Sequence, residues 1–112
     1  MEGHQVSANE QLGPVFAFLG KRWTGLILGT LMDGPARFSE LLRSVDGVSQ
    51  RMLTDRLNEL VEVGLVERTV LPGPPVSVEY NLTACGQAMK PALDELASWA
   101  RTHLPKRKTS AV

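Results

Sequence analysis

The fold is decided by the stretch VSQRMLTDRLNELVEVGLVER, which runs from Val48 to Arg68. Ser49 is a good N-cap residue, and Gly64 stands where helices commonly end in the left-handed conformation. The apolar residues between them recur at the spacing of one buried helix face: Leu53, Leu57, Leu60 and Val61. The stretch therefore predicts a helix over residues 50–63 that turns at Gly64 into a strand.

The opposite side of this helix is rich in side chains that hydrogen-bond in a plane. They are Gln50, Arg51, Thr54, Asp55 and Asn58. Arginine can bind guanine in a bidentate way, and asparagine or glutamine can do the same with adenine. A solvated surface face is the alternative, and the carboxylates of Asp55, Glu59 and Glu62 favour it because they repel phosphates. Glu59 and Glu62 lie toward the C-terminal end, where they can point away from a duplex.

Upstream, the tight turn Asp46-Gly47 joins this helix to a shorter one. The shorter helix is predicted to begin after Ser39 as its N-cap, with Phe38 as a hydrophobic staple, and to run to about Val45. Asp33-Gly34-Pro35 ends the helix that precedes it.

Two more helices are predicted closer to the N-terminus. Asn9 is the expected N-cap of the first. The second, from about Arg22, brings four apolar residues to one side: Trp23, Leu26, Ile27 and Leu31. Gly25 and Gly29 predict the close approach of another element, with a seam between two copies of the chain as the alternative.

Downstream, two apolar-patterned runs flank Pro72-Gly73-Pro74-Pro75 and predict a hairpin with a stiff tip. The second run alternates at the period of a half-buried strand, with Val76, Val78, Tyr80 and Leu82 apolar. Thr83 is the expected N-cap of a last helix that reaches about Thr102, and Pro91 predicts a kink or an irregular first turn. The inner stripe of this helix is predicted to be Met89, Leu93, Leu96 and Ala100.

Two helices joined by a short turn and followed by a hairpin make a helix-turn-helix with a wing. The predicted fold class is mainly α with a small antiparallel β-hairpin, that is, a winged helix-turn-helix with extra N- and C-terminal helices. We divide the chain into a flexible leader (1–9), the winged-helix domain (10–104) and a basic flexible tail (105–112). The tail residues Lys106-Arg107-Lys108 either contact DNA phosphates or are solvated.

Composition narrows the function further. The 112 residues fit one domain, and 12 basic residues balance 12 acidic ones, which argues against strong nonspecific attraction to nucleic acid or membranes. A local basic strip remains compatible with this balance. The single cysteine rules out an internal disulfide and suits a reducing cytoplasm. The polar start does not resemble a signal peptide, and the longest apolar stretch is too short to span a bilayer.

The chemistry of an enzyme is not visible in the sequence. It has no phosphate-binding glycine loop, no nucleophile elbow and no histidines or carboxylates at metal-ligand spacing. We therefore predict no enzymatic activity, no cofactor and no metal. Cys85 stands in the first turn of the last helix, where a helix N-terminus can activate a thiol, so it is a redox candidate with simple packing as the alternative.

Several separate motifs resemble the HxlR family of bacterial winged-helix transcriptional regulators. They are GKRW, the run from Leu26 to Arg68, VEYNLTACG and the region around Trp99, so the resemblance covers about Gly20 to Trp99. It implies a homodimeric DNA-binding repressor or activator. In that family the terminal helices build the dimer interface and the helix beginning near Gln50 reads DNA. Many members carry a cysteine just ahead of the first helix; this sequence has none there, so thiol sensing by the family's usual route is not assigned.

The candidate DNA-binding residues are Arg37, Arg43, Ser49, Gln50, Arg51, Thr54, Arg56, Asn58 and Arg68. Arg51 is the leading candidate for a base contact. Arg37 and Arg43 suit phosphate contacts, with plain solvation as the alternative. Arg56 either contacts phosphate or holds Asp55, Glu59 or the backbone of the preceding helix.

Arg68, at the base of the wing, either contacts phosphate or pairs with Glu67 or Glu79. The functional prediction is a homodimeric regulator that binds a pseudo-palindromic operator on double-stranded DNA, and a small-molecule effector in the dimer cleft is a variant of it. The rival prediction is a winged-helix protein-interaction module without DNA binding, in which the acidic residues of the 50–63 helix face a protein partner.

Overall fold

The computed structural model of the chain describes residues 7–105. The helices are α1 (Ala8–Leu19), α2 (Thr24–Leu31), α3 (Phe38–Ser44), α4 (Gln50–Glu62), α5 (Ala84–Gln87) and α6 (Lys90–His103), and the strands are β1 (Ala36–Arg37), β2 (Val66–Leu71) and β3 (Ser77–Leu82). Helices α3 and α4 form the helix-turn-helix, and β2 and β3 form the wing. The predicted mainly helical winged fold is confirmed.

Helix α1 begins earlier than the sequence predicts. Its N-cap is Ser7, not Asn9, because the Ser7 hydroxyl accepts a hydrogen bond from the Glu10 backbone N–H (3.2 Å) and the Glu10 carboxylate accepts one from the Ser7 N–H (3.0 Å). Residues 7–9 thus belong to the cap and first turn of α1, not to a flexible leader. The remainder of the predicted leader and the tail residues 106–112 lie outside the described residues.

Helix α2 starts from an uncommon backbone conformation. Trp23, its N-cap, has a φ of 80°, in the left-handed region that bulky residues rarely adopt. The Arg22 guanidinium lies 4.5 Å from the centroid of the indole ring. The indole also packs against the turn of the helix-turn-helix, because a Cβ on Gly47 would lie 3.3 Å from Trp23 Cη2. These contacts fix the start of α2 against that turn.

The prediction of which face of α2 is buried is only partly right. Ile27 and Leu31 are buried and Leu28 joins them, but Leu26 is 50% exposed. The close approach predicted at Gly25 and Gly29 is wrong within the described residues, because a Cβ on either glycine would meet no atom within 4 Å. The alternative, a seam between two copies of the chain, stays a prediction.

The start of α3 also differs from the prediction. Arg37, not Ser39, is the N-cap, and the Glu40 carboxylate accepts a hydrogen bond from its backbone N–H at 2.7 Å. Ala36 and Arg37 additionally form β1, a third strand that the sequence does not predict because two residues carry no periodic signal.

The three strands form an antiparallel sheet in the order β1-β3-β2. Val66 pairs with Leu82 and Arg68 with Tyr80, so these residues share the face that packs on the helices. The predicted alternation holds for Tyr80 and Leu82, which are buried. Val76 instead lies in the tip ahead of β3 and is 65% exposed.

The C-terminal helix is divided into α5 and α6. The Thr83 hydroxyl accepts a hydrogen bond from the Gly86 N–H (3.1 Å) and donates one to the Gly64 carbonyl (2.7 Å), which confirms Thr83 as the N-cap. Pro91 falls in the first turn of α6, where its missing N–H is tolerated, so the predicted irregularity is confirmed. The predicted inner stripe is wrong at Leu96, which is 55% exposed.

The core lies between α2, α3, α4 and one face of the sheet. Its buried residues are Ile27, Leu28, Leu31, Leu41, Val45, Val48, Leu53, Leu57, Leu60, Val66, Tyr80 and Leu82. The face predicted for α4 is therefore confirmed, with Val61 only partly buried. None of the helices within residues 7–105 has the length and apolar character needed to cross a membrane.

Candidate nucleic-acid interface

The N-terminus of α4 is open toward solvent. The Ser49 hydroxyl accepts a hydrogen bond from the Met52 N–H at 3.0 Å, which confirms Ser49 as the N-cap. The backbone N–H groups of Gln50 and Arg51 have no acceptor among residues 7–105. Free N–H groups at the positive end of a helix dipole can bind a phosphate oxygen.

The exposed side of α4 carries the side chains that the sequence singles out. Gln50, Arg51, Thr54 and Asn58 are all exposed, and we name these four residues the recognition surface. The opposite side is fixed by fully buried leucines such as Leu53, so α4 cannot rotate these polar groups into the core. Asp55 and Glu62 are also exposed on α4, so the helix mixes donors with two carboxylates.

An open groove with a volume of about 520 Å³ lies between α4 and the wing, and we name it the wing groove. It is lined by Phe38, Thr54, Asn58, Arg68, Val78 and Tyr80. Because Arg68 pairs with Tyr80 in the sheet, its side chain lies on the helix-facing side, whereas Glu67 and Glu79 lie on the other. Within the described part of the chain Arg68 forms no ion pair, so the predicted pairing with Glu67 or Glu79 is wrong.

Arg37 and Arg43 flank this arrangement at the two ends of α3. Both side chains are exposed, and neither forms a salt bridge to another residue of the 7–105 range. Arg37 lies opposite Glu79 in the β1–β3 register, and its backbone is held by Glu40. Arg37 is a predicted DNA-binding candidate, but its place opposite Glu79 has no sequence signal because β1 is only two residues long.

Arg56 lies on another flank of α4 and is already engaged. Its side chain is only 16% exposed, and its Nε donates a hydrogen bond to the Arg22 carbonyl at 3.0 Å. Its Nη1 lies 3.3 Å from the Glu59 carboxylate, which also binds Lys21 Nζ at 3.2 Å. The contact with Glu59 matches the predicted alternative. The backbone carbonyl that Arg56 binds belongs to the turn between α1 and α2, not to the preceding helix α3, so that part of the alternative is wrong. Both contacts set Arg56 apart from the recognition surface.

Another predicted candidate, Cys85, lies away from this surface. Cys85 is a free, exposed thiol in the four-residue helix α5. Among residues 7–105 no group of three or more histidine, cysteine, aspartate or glutamate side chains is placed to hold a metal ion. The arrangement thus offers hydrogen bonding and positive charge on one surface.

Comparison with known proteins agrees with this geometry. The profile of the HxlR-like helix-turn-helix family matches residues 18–108. The HTH-type transcriptional regulator YodB of Bacillus subtilis is 49% identical over 85 residues, which cover 76% of each chain. The uncharacterised HTH-type transcriptional regulator YtfH of Escherichia coli is 37% identical over 114 aligned positions, 91% of this chain and 90% of that one.

A solved structure supports the same assignment. The reduced form of YodB superposes with a TM-score of 0.75 at 45% identity and covers 84% of this chain and 92% of its own. Fold, helix order and sequence therefore agree over most of the chain: this protein belongs to the HxlR-like helix-turn-helix family of transcriptional regulators.

Proposed function

We propose that this protein is a sequence-specific DNA-binding transcriptional regulator that acts as a homodimer on a pseudo-palindromic operator. The observation that carries the proposal is the recognition surface: four exposed polar side chains on one side of α4, a helix whose other side is locked into the core. In a winged helix-turn-helix this helix enters the major groove, where Arg51 would bind guanine and Gln50 or Asn58 adenine.

Three exposed arginines surround this surface and suit phosphate contacts. Arg37 and Arg43 lie at the ends of α3, and Arg68 lies in the wing groove beside Thr54 and Asn58. None of them forms an ion pair within residues 7–105, so their charge is available to a polyanion. If all three contact phosphates in each protomer, the logarithm of the affinity should fall with the logarithm of salt concentration with a slope of about −5.

The homodimer is supported by apolar surface on the two terminal helices. On α1, Phe16 is 60% exposed and Leu12 49%. On α6, Leu96 is 55% exposed and Trp99 52%. Large apolar side chains grouped on outer helices are typical of protein interfaces. Pairing these helices would place two copies of α4 on successive major grooves, roughly 34–36 Å apart.

The DNA-binding part is tested by fluorescence anisotropy of the purified protein with its own upstream intergenic DNA and with scrambled DNA, each at two salt concentrations. We expect preference for the upstream DNA, a steep salt dependence and two protomers per site. Absence of preference together with a flat salt response would support the rival protein-interaction module, in which Asp55 and Glu62 face a partner.

The homodimer is tested separately by light scattering coupled to size exclusion. We expect the mass of two chains for the unmodified protein. Trp99→Glu should yield single chains, because it places a carboxylate in the apolar surface. Glu95→Gln, a change on the same helix at an already exposed acidic position, is the matched control and should leave the mass unchanged. A single-chain mass for the unmodified protein would refute the dimer.

A further inference from the structure

Asp55 lies in the middle of the exposed side of α4, and the proposed function gives it no role so far. At about 100° per residue, it stands opposite the buried pair Leu53 and Leu57. Arg51 precedes it by four residues and Asn58 follows it by three, so both lie beside it on the same side of the helix. A docking of α4 that brings Arg51 to a base edge therefore brings the Asp55 carboxylate to the same groove.

The other two carboxylates of α4 are placed differently. Glu59 binds Lys21 at 3.2 Å and lies 3.3 Å from Arg56, so its charge is compensated. Glu62 is the last residue of α4, about 10 Å further along the helix axis than Asp55. Asp55 itself is exposed and forms no ion pair or side-chain hydrogen bond with any of residues 7–105. A duplex bound by α4 would meet this negative charge uncompensated.

Arg51 does not neutralise Asp55. A spacing of four residues allows opposite charges on a helix to pair, but the order in which the basic residue comes first is the less favourable one. Within the described part of the chain the two side chains form no ion pair. An uncompensated carboxylate about 10 Å from one phosphate weakens binding roughly twofold even in water. Asp55 therefore opposes docking unless a base edge donates a hydrogen bond to it.

The major groove offers such a donor on only two of the four bases. Cytosine presents N4–H and adenine presents N6–H, whereas guanine and thymine present acceptor atoms that repel a carboxylate. Adenine also carries the N7 acceptor beside its amine, and this atom repels a carboxylate as well. Cytosine has no acceptor of its own on that edge. A carboxylate in the groove is therefore selective for cytosine.

We propose that Asp55 determines specificity for one cytosine in each half-site, its carboxylate accepting a hydrogen bond from the N4–H that faces the major groove. The inference rests on the proposed function, because it requires α4 to lie in that groove. Arg51 is about 6 Å away along the helix axis. Base pairs are about 3.4 Å apart, so the cytosine lies within about two base pairs of the guanine that Arg51 binds.

The specificity is tested by anisotropy with the upstream DNA and its single-base variants, on the unmodified protein and on Asp55→Ala. We expect the unmodified protein to lose about tenfold in affinity when the cytosine of one half-site is replaced, the effect of one hydrogen bond to a charged group. Asp55→Ala should bind all four bases there within about twofold of each other. Its affinity for scrambled DNA should rise roughly twofold per protomer, because a repelling charge is removed.

Glu62→Ala is the matched control for charge. It removes the same charge from the same side of α4 about two turns later. Both variants change exposed side chains, so both should melt within about 2 °C of the unmodified protein. Glu62→Ala should keep the preference for cytosine. Loss of that preference in Glu62→Ala as well would show a general effect of charge and would overturn the role of Asp55.

N4-methylcytosine tests the hydrogen bond at a single atom. It keeps its pairing with guanine and places a methyl group where the N4–H faced the major groove, so no donor is left for Asp55. The unmodified protein should bind the methylated operator about tenfold more weakly, whereas Asp55→Ala should bind both operators equally. Equal losses in the two proteins, or no loss in the unmodified protein, would contradict the contact.

The outcomes also distinguish this inference from the proposed function. A normal preference for every operator position in Asp55→Ala would refute the role of Asp55 and leave the proposed regulator intact. An unmodified protein that shows no preference for any DNA sequence would refute both.

Discussion

Substitution of Arg56 distinguishes most clearly between a residue that stabilises the fold and a residue that contacts DNA. Arg56→Met keeps the long aliphatic chain but removes the hydrogen bond from Nε to the Arg22 carbonyl and the contact with Glu59. A hydrogen bond from a charged donor contributes about 1.5–3 kcal/mol, and a partly exposed ion pair within a helix about 0.3–0.5 kcal/mol. The side chain is only 16% exposed, so water replaces these contacts poorly, and we expect a loss of roughly 2 kcal/mol in the free energy of unfolding.

In a thermal melt this loss is large enough to measure. An unfolding entropy of about 2.1 cal/mol/K per residue gives a decrease in Tm of roughly 8 °C for a chain of 112 residues. The melts are compared at one protomer concentration, because dimerisation raises the apparent stability. The salt slope of DNA binding should stay the same, since Arg56 is not placed against phosphate.

Arg51→Met is the matched control and should behave in the opposite way. Arg51 is exposed on the same helix and forms no ion pair within residues 7–105, so its removal should leave Tm within about 2 °C. It should weaken operator binding by about 1–3 kcal/mol and relax the preference at one base position. An unchanged Tm for Arg56→Met together with a salt slope reduced by about 1 would refute this assignment and return Arg56 to the phosphate contacts.

Three further changes test other parts of the structure. Arg43→Ala should weaken binding to specific and scrambled DNA alike and reduce the salt slope by about 1 per protomer, measured by anisotropy across a salt series; a base-specific loss would contradict the phosphate assignment. Gly86→Ala should destabilise the fold by more than about 2 kcal/mol in a urea titration, because a Cβ there would overlap the Leu65 carbonyl oxygen; a stability equal to that of the unmodified protein would show that α5 can move away from the segment that precedes β2. Ser49→Ala should lower the free energy of unfolding by about 1 kcal/mol through loss of the α4 cap, and no loss in the same titration would mean that another group caps the helix.

The sequence predicts the helix-turn-helix well because its signals are local and repeated. The leucines of α4 recur at helical spacing, and both Ser49 and Gly64 mark ends that side-chain hydrogen bonds and backbone conformation confirm. The wing is predicted for the same reason, since two apolar-patterned runs, the second of them alternating, flank a proline-rich tip. β1 is not predicted, because its two residues are too few to show a period. Its pairing with β3 nevertheless positions Arg37.

The burial of α2 and α6 is predicted less well. Leu26 and Leu96 lie on apolar stripes, yet about half of each side chain is exposed, because no element within residues 7–105 covers them. Periodicity identifies a face that avoids water but does not identify which molecule covers it. The same limit applies to the recognition surface, where exposure is confirmed and the DNA contacts of Gln50, Arg51, Thr54 and Asn58 stay predictions.

The role of Arg56 is a property of three-dimensional contact. The sequence does offer both alternatives for Arg56, and only its distances to Arg22 and Glu59 favour the structural one.

The break between α5 and α6 has a consequence for how such regulators diverge. α6 carries Leu96 and Trp99, begins at Lys90 and is joined to the winged-helix body through the short segment Ala88–Met89. In the proposed dimer, substitutions in this segment would reorient one protomer relative to the other without altering any residue that reads bases. Duplicated genes could therefore acquire operators with different spacing between half-sites while keeping the same half-site sequence, and spacing and sequence preference would evolve as separate traits.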